Sequence, residues 1–155
     1  MSHTMELDYK VIASLIQSKT RVLDLGCGDG TLLRMLVDEK NVKAQGIELS
    51  EQAIYKCVEK GVSVFHGNIE EGLIGYPDDS FDYVILNQSL QESKNVTYLV
   101  QEGLRVGNYV IVGVPNFAYF TARIRMLCKG KVPITSSLPY KWYDTPNLHF
   151  FSLTD

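Results

Sequence analysis

Apolar residues recur along this chain in pairs set one helical turn apart. The sets are Val11/Ile12/Leu15/Ile16, Leu32/Leu33/Leu36/Val37 and Ala53/Ile54/Cys57/Val58, and Leu99/Val100/Gly103/Leu104 fits once small residues are admitted. Positions i, i+1, i+4 and i+5 share one stripe of a 3.6-residue helix, so each set predicts a helix packed by one face on a sheet. Asn41, Gly61 and Gly107 follow the second, third and fourth sets, where they can act as C-caps. Ser50 stands at an N-cap position, with Glu51 favourably placed in the first turn. Between the helices lie short runs rich in valine, isoleucine and leucine: 21–25, 44–47, 62–66, 83–86 and 109–114. They mostly do not alternate polar with apolar, which suits parallel strands covered on both faces. Helix and strand patterns alternating at βαβ spacing predict an α/β fold with a doubly wound, Rossmann-like sheet. Leu148–Phe151 reads as a sixth strand, and Ser152–Asp155 as the opening of a helix.

No repeat or low-complexity linker divides the chain, so residues 1–155 are expected to form one domain. A chain of this length buries roughly 68–70% of its unfolded surface. Residues 1–5, with Met1–Thr4 ahead of Met5, read as a tag or a native extension and are given no structural weight. The composition, 45% apolar and 21% charged, is that of a soluble globular protein. The longest apolar runs are strand-sized and the N-terminus lacks a signal peptide's apolar core, so neither a membrane span nor secretion is expected. Cys27, Cys57 and Cys128 are odd in number and form no CxxC pair. Reduced thiols, a cytoplasmic location and no metal site follow as expectations.

The net charge of −3 hides an asymmetry. All 18 acids lie outside 103–143, a stretch that carries Arg105, Arg123, Arg125, Lys129, Lys131 and Lys141. Two readings stay open for it: a surface for an anionic ligand or acidic partner, and a solvated helix face followed by a loop.

The chemistry concentrates in Val22-Leu23-Asp24-Leu25-Gly26-Cys27-Gly28-Asp29-Gly30, an apolar strand running into a loop with glycine at every second position. A dinucleotide fingerprint would need its third glycine at position 31, which is Thr31. The G-x-G-x-G spacing behind Asp24 instead resembles the first motif of class I S-adenosylmethionine (SAM) dependent methyltransferases. That resemblance implies that Gly26, Gly28 and Gly30 let the backbone approach the amino-acid tail and ribose, while Asp24 orients the tail's amino group. Cys27 lines the same loop by virtue of its glycine neighbours and is not read as a nucleophile.

Glu48, twenty residues after Gly28 and followed by Leu49, ends the second strand, where a carboxylate can accept both ribose hydroxyls. In Gly67-Asn68-Ile69 the methyltransferase pattern commonly has an acid before the apolar residue. Asn68 offers adenine an acceptor without charge, with Ile69 against the ring; an Asx-type turn is the other reading. After strand 81–86 stands Asn87-Gln88-Ser89-Leu90, where enzymes that methylate amino groups of nucleic-acid bases carry Asp/Asn-Pro-Pro-aromatic. Asn87 and Gln88 are read as polar lining, and nucleic acid is not expected as the substrate. Beyond Val114-Pro115-Asn116-Phe117 come Tyr119, Phe120, Tyr140, Trp142 and Tyr143, with Arg123 and Arg125 among them. Asp144 and His149 are the acid and imidazole nearest each other there, candidates for catalysis or parts of a loop tying down the sheet edge.

Together with Phe81–Leu86, Leu104–Gly107, Pro115–Phe117 and above all Leu138-Pro-Tyr-Lys-Trp-Tyr-Asp-Thr-Pro-Asn-Leu-His149, these segments resemble the methionine biosynthesis protein MetW family. The resemblance implies a class I methyltransferase sheet of seven strands, so with six counted the C-terminal strand is expected to be missing and the chain truncated. It implies SAM or S-adenosylhomocysteine as the ligand, and an accessory or regulatory role beside homoserine O-acyltransferase, met through the basic and aromatic segment 117–143. Methyl transfer to a small carboxylated or aromatic molecule is the alternative.

Overall fold

A computed structural model describes residues 3–135 and 139–154, with side chains from Glu6 onward. The first helix, α1 (His3–Leu15), leads into β1 (Arg21–Leu25), α2 (Thr31–Lys40), β2 (Lys43–Glu48), α3 (Glu51–Glu59) and β3 (Ser63–His66). After a 3-10 turn at Ile69–Glu71 come β4 (Phe81–Asn87), a second such turn at Leu90–Glu92, α4 (Val96–Val106), β5 (Gly107–Gly113) and α5 (Phe120–Lys129). All strand pairs are parallel, in the order β3-β2-β1-β4-β5. The chain winds outward from β1 to β3 and then returns to lay β4 on the other side of β1. That reversal opens a crevice at the carboxyl ends of β1 and β4, where α/β sheets hold their ligands.

The helix boundaries follow local chemistry. Asn41 closes α2 in the left-handed region at φ 53°, its N–H donating to Val37 O. Ser50 caps α3 by accepting from Ala53 N–H, and Asn95 caps α4 by accepting from Tyr98 N–H. Gly61 follows α3, while Gly107, at φ −125°, passes straight from α4 into β5. The helical stripes are narrower than the spacing predicts. Val11, Leu15, Val58 and Leu104 are exposed, and α1 buries Tyr9, Ile12 and Ala13, followed by Ile16, instead.

Two apolar layers sandwich the sheet. Val22 and Ile85 pack with Ile12, Leu33, Leu36 and Cys57 on one face; Leu23, Leu25, Val84 and Leu86 pack with Leu99 and Val106 on the other. Burying such side chains is worth about 1.5–3 kcal/mol each. One expectation is corrected. Residues 148–151 form no strand, because the Leu148 and His149 N–H groups go to Gln91 O and Phe151 O accepts from Phe117 N–H. The sheet therefore has five strands among the described residues, not six. The α5 helix escapes the apolar pattern because Ala122 is the residue it buries. Leu138, Asp155 and residues 1–2 lie outside the described residues.

Candidate functional site

The loop after β1 is pinned to β2 by Gly26 N–H and Cys27 N–H, which both donate to Ile47 O at 2.9 and 3.2 Å. Gly28, at φ +55°, would project a Cβ into open space, leaving its backbone accessible to a ligand. Gly30, at φ +72°, is glycine for packing as well: a Cβ there would lie 2.9 Å from Cys57 Sγ. Lys60 holds the loop from the side, with Nζ 2.7 Å from Asp29 Oδ2 and 2.6 Å from Thr31 Oγ1.

Glu48 ends β2 with its carboxylate fixed by three backbone donors. Oε2 accepts from Gly28 N–H at 2.8 Å, and Oε1 accepts from Leu49 and Ser50 N–H at 2.9 and 2.8 Å. Each oxygen has two acceptor sites, so Oε2 retains one for a hydroxyl donor. Asp24 lies deeper, only 3% exposed, and its Oδ1 has no hydrogen-bond partner. Burial, reinforced by the Glu48 charge, pushes its pKa up to about 7.

Two contiguous cavities share Gly26 and Gln88. One, of about 280 Å³, is lined by Glu48, Leu49, Asn68, Ile69, Ser89 and Glu92. The other, of about 270 Å³, is lined by Tyr9, Asp24, Cys27, Gly28, Leu32 and Asn87. The crevice thus joins a buried acid, a carboxylate at its middle, and an amide beside an apolar side chain at its far end. Such an order suits an elongated ligand with a cationic group, a vicinal diol and a flat ring. The unpartnered Asp24 oxygen and the open space at Gly28 fit the amino-acid tail of an adenosyl compound.

The residues expected from sequence meet this crevice, each in a particular way. Asn68 Oδ1 accepts from Glu70 N–H at 3.0 Å, so the Asx turn exists, and the residue lines the cavity as well. Cys27 Sγ lies 4.0 Å from Cys57 Sγ, and burial pushes its pKa far above the usual thiol value. It is a packing group beneath the loop. Asp144 and His149 are not joined: Asp144 N–H donates to Lys141 O, while the His149 ring meets Ser93 O.

Tyr9, Ser89 and Glu92 are wall residues that sequence reasoning missed, whereas Gln88 lines both lobes beside Asn87 as its place after the strand suggests. Tyr9 comes from α1, a remote element. Gln88 takes a left-handed φ of 56° straight after β4, its N–H donating to Gly113 O at 2.7 Å. The polar pair Asn87-Gln88 closing an apolar strand is its signal in the sequence. Burial, then Asp29 and Asp24, raise the Tyr9 phenol to about 12. A third cavity, of about 350 Å³, lies between α1 and the end of β5 and shares Asn87 and Gln88 with the second.

A family model described as methionine biosynthesis protein MetW matches residues 6–155. The bifunctional methionine biosynthesis protein MetXA/MetW of Rhodopirellula baltica is 34% identical over 98% of this chain. This chain spans only 26% of that relative's length. Among solved structures, a SAM-dependent methyltransferase of Thermotoga maritima, a possible histamine N-methyltransferase, superposes with a TM-score of 0.68 at 24% identity. The match covers 95% of this chain and 64% of that one. The [4+2]-cyclase SpnF aligns with 66% of this chain and 40% of its own at 24% identity, TM-score 0.59. One fold accommodates both of these reactions, so likeness of fold does not choose between chemistries.

Proposed function

This chain belongs to the family of methionine biosynthesis protein MetW, and we propose that it binds SAM or S-adenosylhomocysteine as an accessory or regulatory subunit of homoserine O-acyltransferase. The unpartnered, buried Asp24 oxygen beside the backbone-held Glu48 carboxylate carries the ligand assignment. Asp24 takes the tail ammonium, Glu48 one ribose hydroxyl through the acceptor site left on Oε2, and Asn68 with Ile69 the adenine. Gly28 leaves the space through which the tail reaches the backbone, with Gly26 and Gly30 turning the loop around it. Leu49, Asn87 and Cys27 complete the lining. The partner assignment draws on the relative whose name joins MetXA to MetW, together with the basic and aromatic segment 117–143, where Arg123, Lys129, Lys131, Trp142 and Tyr143 are exposed. His149 spends its ring on a backbone carbonyl, which favours an accessory role over catalysis by an Asp144–His149 pair. Three free cysteines fit a cytoplasmic setting.

A second reading draws on the cavity that shares Asn87 and Gln88 with the tail lobe: methyl transfer to a small carboxylated or aromatic molecule. Bound SAM would supply an electrophilic methyl group, and the chain's part would be alignment and exclusion of water.

Calorimetry tests the ligand. Wild type binds SAM, Glu48→Ala weakens it by about tenfold or more, and Gly28→Val abolishes it by straining a left-handed position and filling its open side. Unchanged affinity in both variants removes the assignment. Co-elution with purified homoserine O-acyltransferase supports the accessory role; robust labelled-methyl turnover on small acids without the acyltransferase favours the second reading.

A further inference from the structure

The stretch running from Lys141 to Phe151 connects the outer face of the protein with the wall of the crevice. Trp142 and Tyr143 lie exposed at its start, 73% and 64% accessible. Further along, Leu148 and His149 N–H both donate to Gln91 O, at 2.7 and 3.0 Å. His149 Nε2 lies 3.0 Å from Ser93 O; a carbonyl only accepts, so Nε2 carries the proton and donates. At the far end Phe117 N–H donates to Phe151 O at 2.8 Å, and the Phe117 and Phe150 rings are 4.9 Å apart.

The residues gripped in this way belong to the ligand cavity. Gln88, Ser89, Glu92 and Ser93 line its first lobe. The turn they form is braced by Gln91 Nε2–H donating to Gln88 O at 2.8 Å and Ser93 Oγ–H donating to Ser89 O at 3.0 Å. Two buried atoms of the same turn, Ser89 Oγ and Gln91 Oε1, have no partner. Buried polar atoms normally find one. The turn therefore holds unused hydrogen-bonding capacity that a second arrangement of the wall, or a ligand against it, would satisfy.

We propose that His149 is a positioning residue, and that the 141–151 strap couples occupancy of the adenosyl cleft to the exposed Trp142/Tyr143 face. The proposal rests on the reading that the cleft takes SAM. A ligand that favours one arrangement of Ser89–Ser93 also favours the strap geometry that grips it. By linkage, a protein that engages the strap changes affinity for the ligand by the same factor. His149 thus acts through Ser93 and touches no reacting atom.

Hydrogen exchange on the full chain, with and without saturating SAM, tests this. Amide exchange at Leu148 and His149 is expected to slow when SAM binds. His149→Ala should weaken SAM about fivefold, roughly the worth of one hydrogen bond, and abolish the slowing at Leu148. His149→Gln, whose side-chain N–H can reach the same carbonyl, should restore both. SAM binding to wild type with unchanged exchange at 148–149 overturns the strap and leaves the ligand assignment standing. Undiminished affinity in a folded His149→Ala does the same. If that variant fails to fold, the wild-type exchange result decides alone. Absence of SAM binding by wild type overturns both readings.

Discussion

Asp24 ionises near 3.8 in an unfolded chain and near 7 where it lies buried beside Glu48. Between those values the folded protein keeps a proton that the unfolded chain has released, so stability falls as pH rises from about 4 to about 7 and stays low above it. Three pH units correspond to a cost on the order of 4 kcal/mol at alkaline pH. Asp24→Asn should therefore raise the Tm at pH 8, with the gain vanishing below pH 4; a lower Tm at pH 8 would contradict the buried charge. The same substitution should cost SAM affinity and remove its pH dependence, whereas wild type loses about tenfold per unit below pH 7, since only the carboxylate attracts an ammonium. Calorimetry across that range reads both. That Asp24, Gly28 and Glu48 stand at the crevice was legible in the sequence, from the glycine-spaced loop, the acid closing the second strand and the resemblance to the methyltransferase motif. Tyr9 and Ser89 were not, because what makes them wall residues is the packing of α1 and of a 3-10 turn against the loop, which no local spacing encodes.

Among elements, α4 shows how a half-exposed charge can be committed to structure. Arg105, counted from sequence in the basic stretch, forks onto Glu102 at 2.8 and 2.9 Å, reaches Asp78 at 2.7 Å and donates to the Leu73 and Tyr76 carbonyls. It fastens the C-terminal turn of α4 to the loop before β4. Arg105→Lys should lower the Tm by several degrees in thermal unfolding, nearly as much as Arg105→Ala, because an ammonium cannot reproduce the planar fork; full stability in the lysine variant would show that charge alone suffices. The five strands and four of the five helices followed from apolar spacing. The exception, α5, packs through one alanine and leaves Phe120, Ile124 and Leu127 exposed, so burial wrote no period into it. The 148–151 run misled for the opposite reason: its apolar side chains imitate a strand, but its backbone donors are spent on Gln91 O.

At the scale of the whole molecule, charge is segregated. Asp24, Glu48 and Glu92 crowd the crevice, where burial and then Glu48 raise the Glu92 pKa. Arg123, Lys129 and Lys131 lie exposed on and just after α5. An acyltransferase docking there should bind less tightly as salt rises from about 50 to about 500 mM, the range over which screening removes long-range attraction. Arg123→Glu with Lys129→Glu should weaken the complex about tenfold by surface plasmon resonance, mainly through slower association; an unaltered complex would place the interface elsewhere. Arg125 is best left alone in that experiment, since its guanidinium donates to Ile134 O. The cysteines supply a tool for watching the same face. Cys27 and Cys57 are buried at the glycine loop, whereas Cys128 stands open on α5. A maleimide dye will accordingly label the native protein at one position without any engineering, and its emission will report whatever settles beside it.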